Sequence, residues 1–189
     1  IPALAPLLMA NRQTVQLNPR AHVAVDVRQF ARLLQNIKGH EHVDLFTCHL
    51  CRRDLQEAAA LYQGDFLADF YLEDSNPIQE WAQAGRQNYS RQMLDSLQML
   101  TTNNSRQNAY KEASVHAQRQ LEIDELRASA YRQLMEILAL EGRREEALAL
   151  YERCRQLLVE ELGRAPTTRT REIYENILAG DLQPPSGDS

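Results

Sequence analysis

The feature that most constrains this chain is a self-similarity with a period of thirty-four residues in its C-terminal half. When NAYKEASVHAQRQLEID is set over RREEALALYERCRQLLV so that the small residue Ala113 falls on Ala147, Leu97 falls on Tyr131 and Leu100 on Leu134 in the segments before them. Apolar residues at helical spacing within each segment make the repeating unit a pair of helices. The small residues let the two helices of a pair approach, while the larger apolar residues can be buried only by the next pair. Such a chain stacks its units in a row.

That period is the one of tetratricopeptide repeats. In the second copy Leu134, Leu138, Gly142, Ala147, Tyr151 and Cys154 occupy the large, large, turn, small, large and small positions. The first copy departs from the pattern, with Thr101 and Asn104 where apolar or small groups are wanted, so a helical hairpin with a coincidental period is the alternative there. Gly163 and Pro166 close the array. TTRTREIYENILAG then predicts a last helix with Ile173, Tyr174, Ile177 and Leu178 inward, stopping at Gly180, which serves as the lid a stacked array needs. Residues 181–189, ending in QPPSGDS, read as a disordered tail.

Upstream, PLLMANRQTVQL holds the one convincing β signal, two short extended runs about a polar Asn11-Arg12-Gln13 turn. Asn18-Pro19 breaks the chain, and everything after it has helical period. Asp26 with Gln29 three residues on predicts an N-cap and capping box, with Val25 placed to staple against Phe30. Phe30, Leu33, Leu34 and Ile37 form the buried stripe of that helix, which Gly39 ends. Cys48, Cys51, Leu55, Ala58 and Tyr62 carry the next helix, stopping by Gly64. The connector GDFLADFYLEDSNP is turn-rich, yet Phe66, Leu67, Phe70 and Tyr71 are too apolar for a solvated linker, so it reads as a pinned loop. At its end Asn76 as N-cap, Pro77 and Gln79 open a long helix running to Thr102. Its stripe is Ile78, Trp81, Tyr89, Met93, Leu97 and Leu100, with Trp81, the single tryptophan, as a core anchor.

Composition adds mainly exclusions. With 189 residues, 43% of them apolar and 25% charged, the chain can bury a real core. No apolar run is long enough for a membrane span, and the N-terminal stretch IPALAPLLMANRQ lacks the basic region and cleavage site of a signal peptide, so a soluble cytoplasmic protein is expected. The net charge of -5 does not favour nucleic acid, but residues 1–39 carry +4 and the remainder -9. Such an asymmetry marks either the edge of a nucleic-acid-binding unit or an ordinary solvated face. The common nucleophile, phosphate-loop, dinucleotide and zinc-protease motifs are absent from the sequence, and Glu145-Glu146 and Glu160-Glu161 read as solvated helix surface. The chain is therefore expected not to be an enzyme.

One stretch stands apart. HEHVDLFTCHLCRRDL gathers three of five histidines and two of three cysteines. A zinc deaminase would need H-x-E and then P-C-x-x-C, whereas Thr47 precedes Cys48. A thioredoxin-like pair would need a parallel sheet that is not predicted. Two readings stay open. His40, His42, Cys48 and Cys51 complete a tetrahedral shell for a structural zinc that leaves no open catalytic position. Alternatively, the cysteines face the core with Leu55 and the histidines are solvated.

With these residues in view the chain resembles a known family. LYQGDFLADFYLEDSNPIQEWAQAGRQ and the later RQLEIDELRASAYRQLMEILALEGRREEALALYERCRQLLVEELGRAPTTRTREIYENI are similar to the bacterial transcriptional activator domain (BTAD), the tetratricopeptide-like module of SARP-type regulators. Its marks here are Asp26-Val27 with Phe30, the run Gly64, Asp65, Phe66 and Leu67, then Trp81, Arg132 to Met135, Gly142, Ala147, Tyr151 to Cys154, Glu161-Leu162-Gly163 and Pro166. The resemblance covers about residues 25–180. It implies an all-α, tetratricopeptide-like helical repeat domain over 21–180, preceded over 1–20 by the C-terminal hairpin of a winged-helix DNA-binding domain whose recognition helix has no counterpart in this chain. DNA would then be bound weakly or not at all by these residues. The His/Cys stretch is not part of the family's pattern.

The resemblance implies an interaction and regulatory domain that relays signals to the DNA-binding domain. Its partners would be RNA polymerase, other domains of the parent regulator or a second protomer, with no membrane. In a tetratricopeptide array the first helix of each unit lines the concave face, which nominates Arg91, Asp95, Gln98, Arg132, Gln133 and Glu136 as partner-facing. Each is also an ordinary polar position on a helix. The alternative is a free-standing tetratricopeptide scaffold unrelated to transcription. A metal other than the candidate zinc, or any other cofactor, is not required.

Overall fold

The computed structural model describes residues 7–21, 23–41, 44, 46, 48–70 and 75–182. It is an all-α fold with a small N-terminal hairpin. Strands β1 (Leu8–Ala10) and β2 (Val15–Leu17) pair antiparallel, Met9 opposite Gln16, and are followed by helices α1 (Asp26–Gly39), α2 (His49–Leu61), α3 (Asn76–Arg106), α4 (Tyr110–Ile123), α5 (Ala128–Leu140), α6 (Arg144–Leu162) and α7 (Thr168–Ala179). The hairpin turn is held by the Asn11 side chain, whose Oδ1 accepts from the amides of Gln13 and Thr14 at 2.8 and 2.7 Å.

Helices α1, α2 and the middle of α3 share one core of Phe30, Leu33, Ile37, Cys51, Leu55, Ala58, Met93, Leu97 and Leu100. Helices α4 to α7 share another, built on Ala113, Ala117, Leu134, Met135, Leu138, Ala147, Tyr151, Ile173 and Ile177. Its alanines Ala113 and Ala117 lie on α4 and Ala147 on α6. Ala113 and Ala147 are fully buried, as the small positions of the repeat require. Helix α7 closes the row against α5 and α6. Its Tyr174 stacks on Tyr151 with ring centroids 4.1 Å apart.

The turns between paired helices show why an irregular copy still folds. Gly142 has φ 78°, and Asn108, thirty-four positions earlier, has φ 57°. Both hold the left-handed conformation that the turn demands, and asparagine is among the few non-glycine residues that adopt it readily. Thr101 and Asn104, the polar departures of the first copy, are both buried. The Thr101 hydroxyl is satisfied by the Leu97 carbonyl, one turn back, at 2.8 Å.

Several local expectations are corrected. The N-cap of α1 is Val25 and not Asp26: the Val25 carbonyl already accepts from the amides of Arg28 and Gln29, and the Asp26 carboxylate instead takes the Val27 amide at 2.7 Å. The capping box with Gln29 is not formed. Likewise Ser75, not Asn76, caps α3, again without a side-chain bond, because its carbonyl takes the Gln79 amide. In both places the extended backbone ends one residue earlier than the side-chain pattern suggests. Helix α3 runs on to Arg106, past Thr102, and α2 ends at Leu61, three residues before Gly64.

Trp81 is not a core anchor. It is 60% exposed, Ile78 next to it on the helix is also exposed, and their place on the inner face is taken by Ala82. The reason is Phe66. Its ring lies against Gly85 so closely that a Cβ there would stand 2.7 Å from it, and it meets Trp81 edge-on at 5.4 Å and Tyr89 at 5.2 Å. The connector, not the helix stripe, covers this end of α3. It is pinned, but by hydrogen bonds more than by apolar burial: Arg86 donates to the carbonyls of Phe66 (2.9 Å), Leu67 (2.6 Å) and Phe70 (3.4 Å), while the Leu67 and Phe70 side chains stay exposed. On α7, Leu178 is exposed and Thr170 is buried in its stead. Tyr71 and the tail 183–189 lie outside the described residues.

Candidate interaction face and cysteine cluster

Helix α5 touches both α3 and α7, so the first helices of the two repeats and the closing helix lie side by side. The six residues nominated from the sequence sit on α3 and α5, and the structure divides them. Gln98 and Gln133 are spent on a polar network that ties α3, α4 and α5 together. At its centre Gln120 of α4, fully buried, donates to Thr101 Oγ1 and Gln133 Oε1, both at 3.1 Å, and accepts from Arg127 Nε at 3.2 Å. Gln133 donates in turn to Thr102 Oγ1 at 3.1 Å, and Arg127 to Gln98 Oε1 at 2.8 Å. Asp95 joins at the exposed rim, 3.4 Å from Arg127. Every polar atom of the Gln120 amide is thus paired, as a buried amide requires. The sequence offered one sign of this network, the polar Thr101 in an apolar position.

Arg91 is exposed and donates to Asn88 Oδ1 at 3.3 Å in the preceding turn. Arg132 and Glu136 are half-buried where α5 meets α7. Arg132 donates to Thr170 Oγ1 at 3.2 Å. No hydrogen bond or ion pair among the described residues reaches the Glu136 carboxylate. Burial pushes its pKa up against the opposing pull of Arg169 and Arg132. Burial also lowers the pKa of Arg132, with the like charge of Arg169 acting the same way. Arg169 was not foreseen, because nothing in the spacing of α7 says which face it turns to α5.

The Tyr62 hydroxyl donates to Asp65 at 3.1 Å beside exposed Gly64, Gly163 ends α6 at φ 61°, and Pro166 is half-buried between α6 and α7. Glu145 and Glu146 are exposed, as expected, with Glu146 paired to Arg143 at 2.7 Å.

The His/Cys stretch begins just after α1 and runs into α2. Three of its four nominated ligands come together: His40 Nδ1 lies 3.2 Å from Cys51 Sγ and 3.4 Å from Cys48 Sγ, and the three atoms are all within 4.8 Å of one another. His42 lies outside the described residues. Cys48 is the N-cap of α2 and Cys51 faces the core with Leu55, so the two expectations, cysteines in the core and cysteines beside histidine, meet in one place. Backbone N–H donors of the first helical turn lower the Cys48 pKa, whereas burial raises that of Cys51 to about 11. The third cysteine, Cys154, is fully buried on α6 and its pKa too is raised by burial, to about 11.

The model of the bacterial transcriptional activator domain family matches residues 25–178. The chain belongs to that family. Among solved structures the activator domain is similar to Mycobacterium tuberculosis EmbR, in a complex with a low-affinity phosphopeptide, at a TM-score of 0.60 and 19% identity. The match covers 95% of this chain and 45% of EmbR, so the chain spans under half of that protein. At this identity the likeness speaks for the fold. No curated protein matches the sequence as a relative. No helix among the described residues is long and apolar enough to cross a membrane.

Proposed function

We propose that this activator domain is the protein-contact module of a SARP-type transcriptional regulator, working by contact and not by chemistry in the cytoplasm, and relaying regulatory state to a winged-helix DNA-binding domain. The observation that carries the reading is the Glu136 site: a half-buried carboxylate with no hydrogen-bond donor among the described residues, flanked by Arg132 one turn back on α5 and by Arg169 on α7. A carboxylate held partly out of water without a donor is costly in the free protein, and a partner that supplies one recovers that cost. The partner is RNA polymerase, another domain of the parent regulator or a second protomer. That EmbR has been seen with a peptide supports a protein ligand for this fold.

The hairpin supports the other half of the reading. Leu8 and Met9 on β1 and Val15 on β2 are all exposed, on a ribbon too short to be stable alone. Further sheet covering them fits residues 1–20 being the end of a winged-helix domain. The test is a pull-down by the 189-residue chain against purified polymerase, the other parent domains and a differently tagged copy of itself. The double charge reversal Arg132→Glu and Glu136→Lys, checked for folding by circular dichroism, is expected to lose the partner. If every contact survives the reversal, the face is not where the domain binds.

A further inference from the structure

Independently of that reading, we propose that His40, Cys48 and Cys51 form a zinc site that staples the end of α1 to the start of α2. Zinc binds sulfur at about 2.3 Å and imidazole nitrogen at about 2.0–2.1 Å in a tetrahedron, which puts nitrogen and sulfur roughly 3.6 Å apart and two sulfurs roughly 3.8 Å apart. The observed nitrogen–sulfur separations of 3.2 and 3.4 Å are already close to that spacing. Three corners of the shell stand in place with no rearrangement of either helix.

A hydrogen bond explains this geometry less well than a metal does. One ring nitrogen carries either a single proton or a single lone pair, so Nδ1 serves one sulfur well and not two at once. A cation at the centre of the three atoms satisfies all of them. The backbone is arranged for this: Cys48 at the cap and Cys51 one turn on share a helix face, and His40 is the first residue after α1. Asp54, 6% exposed, adds negative charge on α2 one turn beyond Cys51, offset in part by Arg53, which pairs with it at 3.0 Å on the same cleft wall. A cleft of about 420 Å³ walled by Gln35, Asn36, Gly39, His40, Cys51 and Asp54 gives a metal ion its way in. The fourth corner falls to solvent or one further donor, and the staple does not depend on which. In this proposal the metal is structural and holds the hairpin.

The experiment takes the whole 189-residue chain, purified reduced and without added metal, through elemental analysis and then, after chelation, a cobalt(II) titration. About one zinc per chain is expected, and cobalt should give a thiolate charge-transfer band in the near ultraviolet with the intense visible bands of a tetrahedral site. Cys48→Ser and His40→Ala should each weaken binding by more than about 100-fold, beyond the 10–100-fold typical of outer-shell changes. Cys154→Ser should leave it unchanged. Cys51→Ser removes a core side chain, so Cys48→Ser and His40→Ala carry the test if that variant fails to fold. Reduced protein without stoichiometric zinc and without the cobalt bands overturns the proposal. So does metal binding that survives both of these substitutions.

Discussion

The two helical hairpins, α3–α4 and α5–α6, have the same plan and solve the same packing problem with different chemistry. Where the second has Met135 and Cys154, both fully buried, the first has Thr101 and Gln120 at the equivalent positions, also fully buried and bonded to each other. Where the second turns on Gly142, the first turns on Asn108, whose side chain also accepts from the Tyr110 hydroxyl at 2.8 Å. The period therefore constrains size and backbone conformation more tightly than polarity. A polar pair is admitted into the core if every lone pair and proton in it finds a partner.

The comparison is broken most forcefully from the apolar side. Met135→Ala leaves a cavity in a fully packed region and should cost about 2–5 kcal/mol, read as a drop in the urea midpoint with the slope unchanged. If the polar hairpin is held as well by its network as the other is by packing, Gln120→Met should cost roughly 1–3 kcal/mol despite its similar volume. That substitution strands Arg127, Gln133 and Thr101 in part. A neutral result by the same denaturation assay would mean that the network is ornamental. Gly142→Ala should cost roughly 1–2 kcal/mol for its left-handed backbone, and Gly142→Asn distinctly less, because Asn108 already works in the equivalent turn. Equal thermal midpoints for the two variants would refute the equivalence.

The smallest effect concerns the face between α5 and α7. Burial holds the Glu136 carboxyl above the ordinary carboxylate range, so the folded state binds its proton more tightly than the unfolded chain does. The penalty for ionising it begins as pH rises through the ordinary carboxylate value and is complete above the raised one. Glu136→Gln should therefore raise the thermal midpoint slightly at pH 7, and the gain should vanish below about pH 4, where both states of the wild type are protonated. A gain that persists in acid would assign the effect to packing instead.

What the sequence made legible follows from which forces are local. The repeat, the small residues at 113 and 147, the turn glycine and the pinned connector all rest on spacing or on backbone conformation, and all are found in place. The caps were displaced by one residue, since a side chain such as Asp26 can satisfy a first-turn amide from inside the helix as well as from its edge. Trp81 was misread because periodicity names a helix face but not what covers it, and Phe66 arrives from a loop. Among the candidate site residues, the proximity of His40, Cys48 and Cys51 could be suspected from their short separation in the chain. The fate of Gln98 and Gln133 could not, since it depends on Gln120 and Arg127 from other helices. Arg169 was invisible for the same reason.

Helix α3 has 31 residues, a rod of about 46 Å, and it serves two groups at once: Met93, Leu97 and Leu100 belong to the α1–α2 core, Gln98 and Thr101 to the network of α4 and α5. Two packed groups that share one unbroken rod have no hinge between them. The same continuity means that a cut anywhere from Met93 to Thr101 would sever the beam on which the α1–α2 core and the polar network both lean.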